Sequence, residues 1–161
     1  MAKIKVYAKA QHRTALGIVH AYMTINPKAT LENLREAFPN SLNPDSGVKE
    51  NFIYENENGT SANWNGYFKA DEELITLCDG KKVAVVSMWT KQSLERIIAQ
   101  AKNYDIDVEQ VDTKVEGGFR LEYLNGFTPK APTKKNYKWT MWFLFAMVLV
   151  ALGAFVFRLL H

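Results

Sequence analysis

The sequence predicts an α+β domain followed by one membrane-spanning helix, and three observations carry that reading. Trp139 to Phe157 is nineteen residues without a charge, and Thr140 is its one polar side chain. As a helix rising ~1.5 Å per residue, this stretch would be about 28 Å long, close to the hydrocarbon thickness of a bilayer. Two N-terminal segments place apolar residues at helical spacing. The centre of the chain, Leu74 to Ser87, then reads as a β-hairpin. The expected fold is therefore two N-terminal helices, a mainly antiparallel sheet with a strand-helix-strand unit, and a C-terminal transmembrane helix.

Taken in order, residues 3–8 alternate polar and apolar, as a half-buried strand does. From Thr14 the period changes. Ala15, Ile18, Val19 and Tyr22 fall on one helical face, which Leu16 and Met23 widen, and Asn26-Pro27 ends it. Thr30 suits the N-cap of a second helix, with Glu32 favoured in its first turn by the helix dipole. Leu31, Leu34 and Phe38 give that helix a stripe to bury, and Pro39 stops it. Val48 to Tyr54 is a strand candidate among turn formers, and the Asn-rich stretch 56–66 reads as an exposed loop. Trp64 within that loop is expected to pack on the domain in preference to contacting a partner, because tryptophan usually finds core.

Asp79-Gly80 stands between two apolar runs, so a tight primed turn is expected there. Thr90 caps a helix carrying Leu94, Ile97, Ile98 and Ala101 on one face, ending near Asn103. Ile106 to Val111 is a further strand. The strand-helix-strand order suggests a crossover, right-handed if its strands pair in parallel. A final hairpin is expected to turn at Gly117-Gly118, where Phe119, Leu121 and Tyr123 alternate with Arg120 and Glu122. The organisation that follows is a domain over 1–124, a Pro/Lys-rich linker over 125–138, the span over 139–157 and an exterior tail over 158–161. An extended linker of that length reaches at most about 40 Å, which keeps the domain near the membrane.

Charge sets the orientation. Residues 1–129 carry 15 Lys/Arg and 17 Asp/Glu, so the net charge of +3 comes from the membrane boundary. Lys130, Lys134, Lys135 and Lys138 precede the span and Arg158 follows it, which places the N-terminal side in the cytoplasm. Tyr137, Trp139 and Trp142 cluster where amphipathic rings favour the interface. The opening Met-Ala-Lys-Ile-Lys-Val has no apolar run of signal-peptide length. The single cysteine, Cys78, forms no internal disulfide and suits a reducing compartment. These features describe a tail-anchored, single-pass membrane protein with a cytoplasmic N-terminus, in which Asn58-Gly59-Thr60 is a turn and not a glycosylated site.

Catalytic equipment is sparse. His12 and His20 stand eight residues apart, about 80° around a helix, and no Cys/His/Asp/Glu spacing matches a structural zinc site. Cys78, between apolar residues beside a turn, is expected to be a buried, inert thiol. Asp45 with Asp79-Gly80-Lys81 imitates the spaced acids and lysine of metal-dependent nucleases, although Asp79-Gly80 is better explained as the turn. No catalytic residue, cofactor or metal is therefore assigned. Lys3, Lys5, Lys9, Arg13 and Lys28 precede the first acid, Glu32, and form a candidate basic contact face. It would suit an acidic partner, an anionic leaflet or, less favoured, nucleic acid. The bland reading is a solvated face balanced in space by Asp71, Glu72 and Glu73.

Leu34-Arg-Glu-Ala-Phe-Pro39, an apolar-aromatic strand, and Glu73 to Trp89 (E-L-I-T-L-C-D-G-K-K-V-A-V-V-S-M-W) resemble a small domain that recurs in hypothetical bacterial proteins. The resemblance covers under half of the chain. It implies a compact cytoplasmic domain and brings no site residues.

The expected function is accordingly binding: a cytoplasmic domain that holds a protein or ligand at the bilayer. In the span, Ala146, Ala151, Gly153 and Ala154 are small enough for helix–helix contact, so a homo-oligomer is compatible with the sequence. That feature supports an alternative, a sensor domain with an oligomerising, membrane-disrupting helix of the bacterial-defence type. A membrane-tethered nuclease is the third reading.

Overall fold

The computed structural model describes residues 1–55 and 65–130. Trp64, the turn at Asn58-Gly59, Lys134, Lys135, Lys138 and the whole span, with Trp139, Trp142, Gly153 and Arg158, lie outside the described residues. Among the described residues no helix is long and apolar enough to cross a membrane.

Among the described residues, six strands and three α-helices form where local chemistry asks for them. In β1, Ile4–Ala8, the alternation puts Ile4, Val6 and Ala8 fully inside and Lys5 and Tyr7 on the outer face. The chain reverses in two residues and enters α1, Gln11–Ile25. Helix α2, Leu31–Ala37, starts on a capping box. The Thr30 hydroxyl accepts the Asn33 amide at 3.3 Å, and the Asn33 side chain accepts the Thr30 amide at 3.0 Å. A single 3-10 turn, Asn40–Leu42, follows Pro39. Short strands β2, Phe52–Tyr54, β3, Ile75–Thr76, and β4, Lys82–Val85, precede α3, Lys91–Lys102, whose N-cap is Thr90 as expected. Strands β5, Ile106–Gln110, and β6, Phe119–Tyr123, complete the set.

The strands divide between two three-stranded sheets, ordered β5-β1-β6 and β2-β4-β3. Three of the four pairings are antiparallel; β1 with β5 is parallel. The mixed α+β class thus holds, but three local expectations need correction. The unit β4-α3-β5 joins two different sheets, because β4 is already flanked by β2 and β3, and β5 finds its parallel partner in β1. The chain from β5 to β6 is not a hairpin, since β1 lies between them. Only the end of the Val48–Tyr54 candidate is a strand. Before it, the Asn51 amide donates to Asn40 Oδ1 at 2.8 Å and the Asn51 side chain to the Pro39 carbonyl, so polar side chains take the bonds a ladder would use.

The turn at Asp79-Gly80 also differs from expectation. The Leu77 amide donates to the Lys81 carbonyl, and the Gly80 amide donates to the Leu77 carbonyl. Gly80 alone has a positive φ, +84°, so the loop is a three-residue turn ending in a glycine bulge. Asn125-Gly126 makes the primed turn instead, with φ of 53° and 71° and the Phe127 amide donating to the Leu124 carbonyl at 2.9 Å.

One core spans both sheets. Helix α1 runs through its middle, with Thr14 to Val19, Ala21 and Tyr22 all buried. Gly17 permits its close approach to the first sheet, because a Cβ there would stand 2.7 Å from Val6 Cγ1 and 3.1 Å from the Phe119 ring. Tyr22 meets Phe38 and Tyr104 edge-on, with ring centroids 5.3 and 5.1 Å away.

Candidate functional site

Connectivity decides which residues meet. The two-residue reversal after β1 runs α1 back along it, so the C-terminal end of α1 lies at the Ile4 end of the sheet. Ile4 pairs with Ile106 and Tyr123, which brings the start of β5 and the end of β6 to the same pole. The chain then leaves β6 through the Asn125-Gly126 turn. The Asn125 side chain donates to the Ala2 carbonyl at 2.7 Å, and Phe127 packs against the core with its ring 6.1 Å from Tyr123. Residues 125–127, read from sequence as linker, are therefore fastened to the domain.

At this pole a groove of about 650 Å³ runs between the α1–α2 turn and the departing chain. Lys3, Lys28 and Lys130 border it, with Asn33 and Thr128 as polar neighbours and Ile25, Pro27 and Phe127 as apolar ones. Among the described residues, no carboxylate lines it. Lys3 bonds Asp105 at 2.7 Å, an attraction that holds the Asp105 carboxyl below its ordinary range. Among the described residues, Lys28 and Lys130 are exposed and have no acidic partner. A second groove, about 540 Å³, lies on the other side of Pro129 and Lys130. His20, Met23, Leu74 and the half-exposed Tyr123 line it.

The five basic residues singled out at the N-terminus do not all line one groove. Lys5 bonds Glu109 at 2.6 Å, which raises its pKa. Arg13 is bound by Glu73, its guanidinium 5.0 Å from the Phe68 ring centroid. Burial pushes the Glu73 carboxyl upward, but the Ala70 amide, Arg13 and the Lys69 amide together hold it below its ordinary range. Of the acids expected to balance this stretch, Glu73 does so and Asp71 bonds Lys82 instead. Asp105 and Glu109 of the β5 region pair with Lys3 and Lys5. Lys3 and Lys28 reach the groove; Lys5, Lys9 and Arg13 are not among its lining residues.

At the opposite pole the N-terminal ends of α1 and α3 meet in an open cleft of about 630 Å³. Gln11, His12, Asp45, Ser46, Met88 and Thr90 are among its lining residues. Burial is the chief cause lowering the His12 pKa, and Arg13 adds to it. The nuclease-like pattern is not gathered there. Asp79 is not in that lining; its Oδ1 accepts the Lys81 amide at 3.0 Å and closes its own turn. Among the described residues, no three His, Cys, Asp or Glu side chains are grouped to hold a metal ion. Cys78 is exposed, not buried as expected, because the three-residue loop places it at the hairpin tip while Leu77 takes the inward position.

The groove at the exit pole was legible only in pieces. Lys3, Lys28 and Lys130 stand out as basic residues, but nothing local tells that strands 100 residues apart bring them together. The Asn-Gly pair at 125–126 was the one signal that the chain turns back onto the domain. Searches against family models, curated proteins and solved structures found no match to this chain.

Proposed function

We propose that the chain is a single-pass membrane protein whose segment Trp139–Phe157 holds the α+β domain at the cytoplasmic face of a bilayer, where the domain binds a partner or ligand. One observation carries the reading: the described chain leaves the domain at the pole where Lys3, Lys28 and Lys130 border a groove that no carboxylate lines among the described residues. The direction of exit, the basic surface and the lysine run toward Trp139 agree with one another, and anionic lipid attracts such a surface. Trp139 is nine residues beyond Lys130, a covalent reach of at most about 30 Å.

Full-length protein should stay with the membrane fraction after alkaline carbonate extraction, with its domain open to protease from the cytoplasmic side. Replacing Leu149 with Arg and Val150 with Asp should release it, because each charge costs about 2.5–3.5 kcal/mol at the centre of a span. Wild-type protein that carbonate strips from membranes would end this reading.

A further inference from the structure

We propose that the groove between the α1–α2 turn and the departing chain is a binding site for the phosphate-bearing headgroup of an anionic phospholipid; this rests on the membrane reading above. Charge, hydrogen-bonding capacity and location all favour that occupant.

The first is charge. Lys28 and Lys130 are exposed ammonium groups without an acidic partner among the described residues, and they face one groove from opposite walls. One wall is the α1–α2 turn and the other is the chain after β6. Lys3 adds a third ammonium to the lining, shared with Asp105. The C-terminal carbonyls of α1 lie nearby and oppose an anion by about half a charge. The Asn26 amide and side chain both donate to the Tyr22 carbonyl, which blunts that end. Two free lysines therefore prevail over it.

The second is hydrogen-bonding capacity. Asn33 and Thr128 both line the groove; the Asn33 carbonyl oxygen accepts the Thr30 amide, so its NH2 group keeps its donor capacity, and Thr128 adds a hydroxyl. A phosphodiester asks for this combination of point charges and neutral donors.

The third is location. The apolar rim of Ile25, Pro27 and Phe127 stands beside the basic walls, so the site is amphipathic in the way a lipid interface is. Tyr123, 48% exposed beside the neighbouring groove, is the kind of ring that settles at headgroup level. A nucleic acid would need a longer basic track. Instead, the outer face of the first sheet carries Asp107, Glu109 and Glu122, and Arg120 there lies over the Tyr7 ring.

The test uses the full chain in lipid nanodiscs, followed by amide hydrogen exchange. In discs of phosphatidylcholine with phosphatidylglycerol, amides of residues 26–33 and 125–130 should exchange more slowly than in phosphatidylcholine alone. Lys28→Glu with Lys130→Glu should remove that difference. Lys91→Glu with Lys114→Glu, at the other pole and equal in charge, should leave it in place. Short-chain phosphatidylglycerol should bind the detergent-solubilised protein about fivefold more weakly for each groove lysine removed. Equal exchange in the two discs, or equal loss with both pairs of variants, would overturn the site. So would inorganic phosphate or single-stranded RNA displacing the lipid at comparable concentration. Failure of the wild type to enter the disc would instead sink the membrane reading itself.

Discussion

At the scale of single residues, His20 shows what burial does to a titratable ring. It sits on α1 with its ring 5.1 Å from Phe119 and its Nε2 shielded without a hydrogen-bond partner among the described residues. Desolvation lowers its pKa and outweighs the Glu73 carbonyl and carboxylate, which both raise it. His12 is lowered for the same first reason. An unfolded histidine titrates near pH ~6.5, so below that pH the unfolded chain takes up protons that these folded rings resist. Their neutral forms leave stability undiminished above about pH 6.5, and stability declines as pH falls from there toward the lower folded pKa. The slope is at most about 1.4 kcal/mol per pH unit for each ring. Thermal melts of the full chain in detergent should show Tm falling over that window. His20→Phe should flatten most of the fall and His12→Phe less of it, since His12 is the more exposed ring. An unchanged slope in His20→Phe would mean that its burial is not what sets this dependence.

At the scale of elements, the two X-Gly turns exchange roles relative to their sequences. Asp79 keeps ordinary backbone angles and its carboxylate accepts one amide, from Lys81, at an exposed tip. Asn125 holds a φ of 53° and ties the end of β6 to Ala2. Asn125→Ala should therefore cost about 1–2 kcal/mol, from αL strain together with a lost hydrogen bond. Asp79→Ala should cost about half that or less, and urea midpoints of the two variants decide the order. Helices and caps were legible in sequence because their signals are local. Thr30 and Thr90 cap the helices expected of them, and Leu34, Leu94 and Ile97 are buried as their spacing requires. Turn type was less legible, because Asp-Gly serves both two-residue and bulged loops and only the register separates them. That register is set by Leu77 turning inward, which a run of apolar residues does not announce.

At the scale of the molecule, alternation told which face of β1 is buried but not which strands flank it. Ile4 pairs with Ile106 and Tyr123, so the first sheet closes only when the last strand of the domain is made. Period-two patterns specify a face and are silent about distant partners. The groove inherits this property, since its walls come from the beginning and the end of the domain. Where the domain ends is then a physical question with a measurable answer. The sequence places the boundary after Leu124, but Phe127 packs on the core and the Asn125-Gly126 turn pins the N-terminus. A fragment of residues 1–130 should unfold in one cooperative transition. A fragment of residues 1–124 loses the half-buried Phe127 ring and the Ala2 bond, about 2 kcal/mol together, and should melt several degrees lower. Ending the chain after Val111 removes β6, bares one edge of β1 and uncovers the side of α1 where Gly17 meets Phe119. That fragment should bind a hydrophobic dye and unfold without a sharp midpoint. Equal midpoints for the first two fragments would return residues 125–130 to the linker, and with them one wall of the groove.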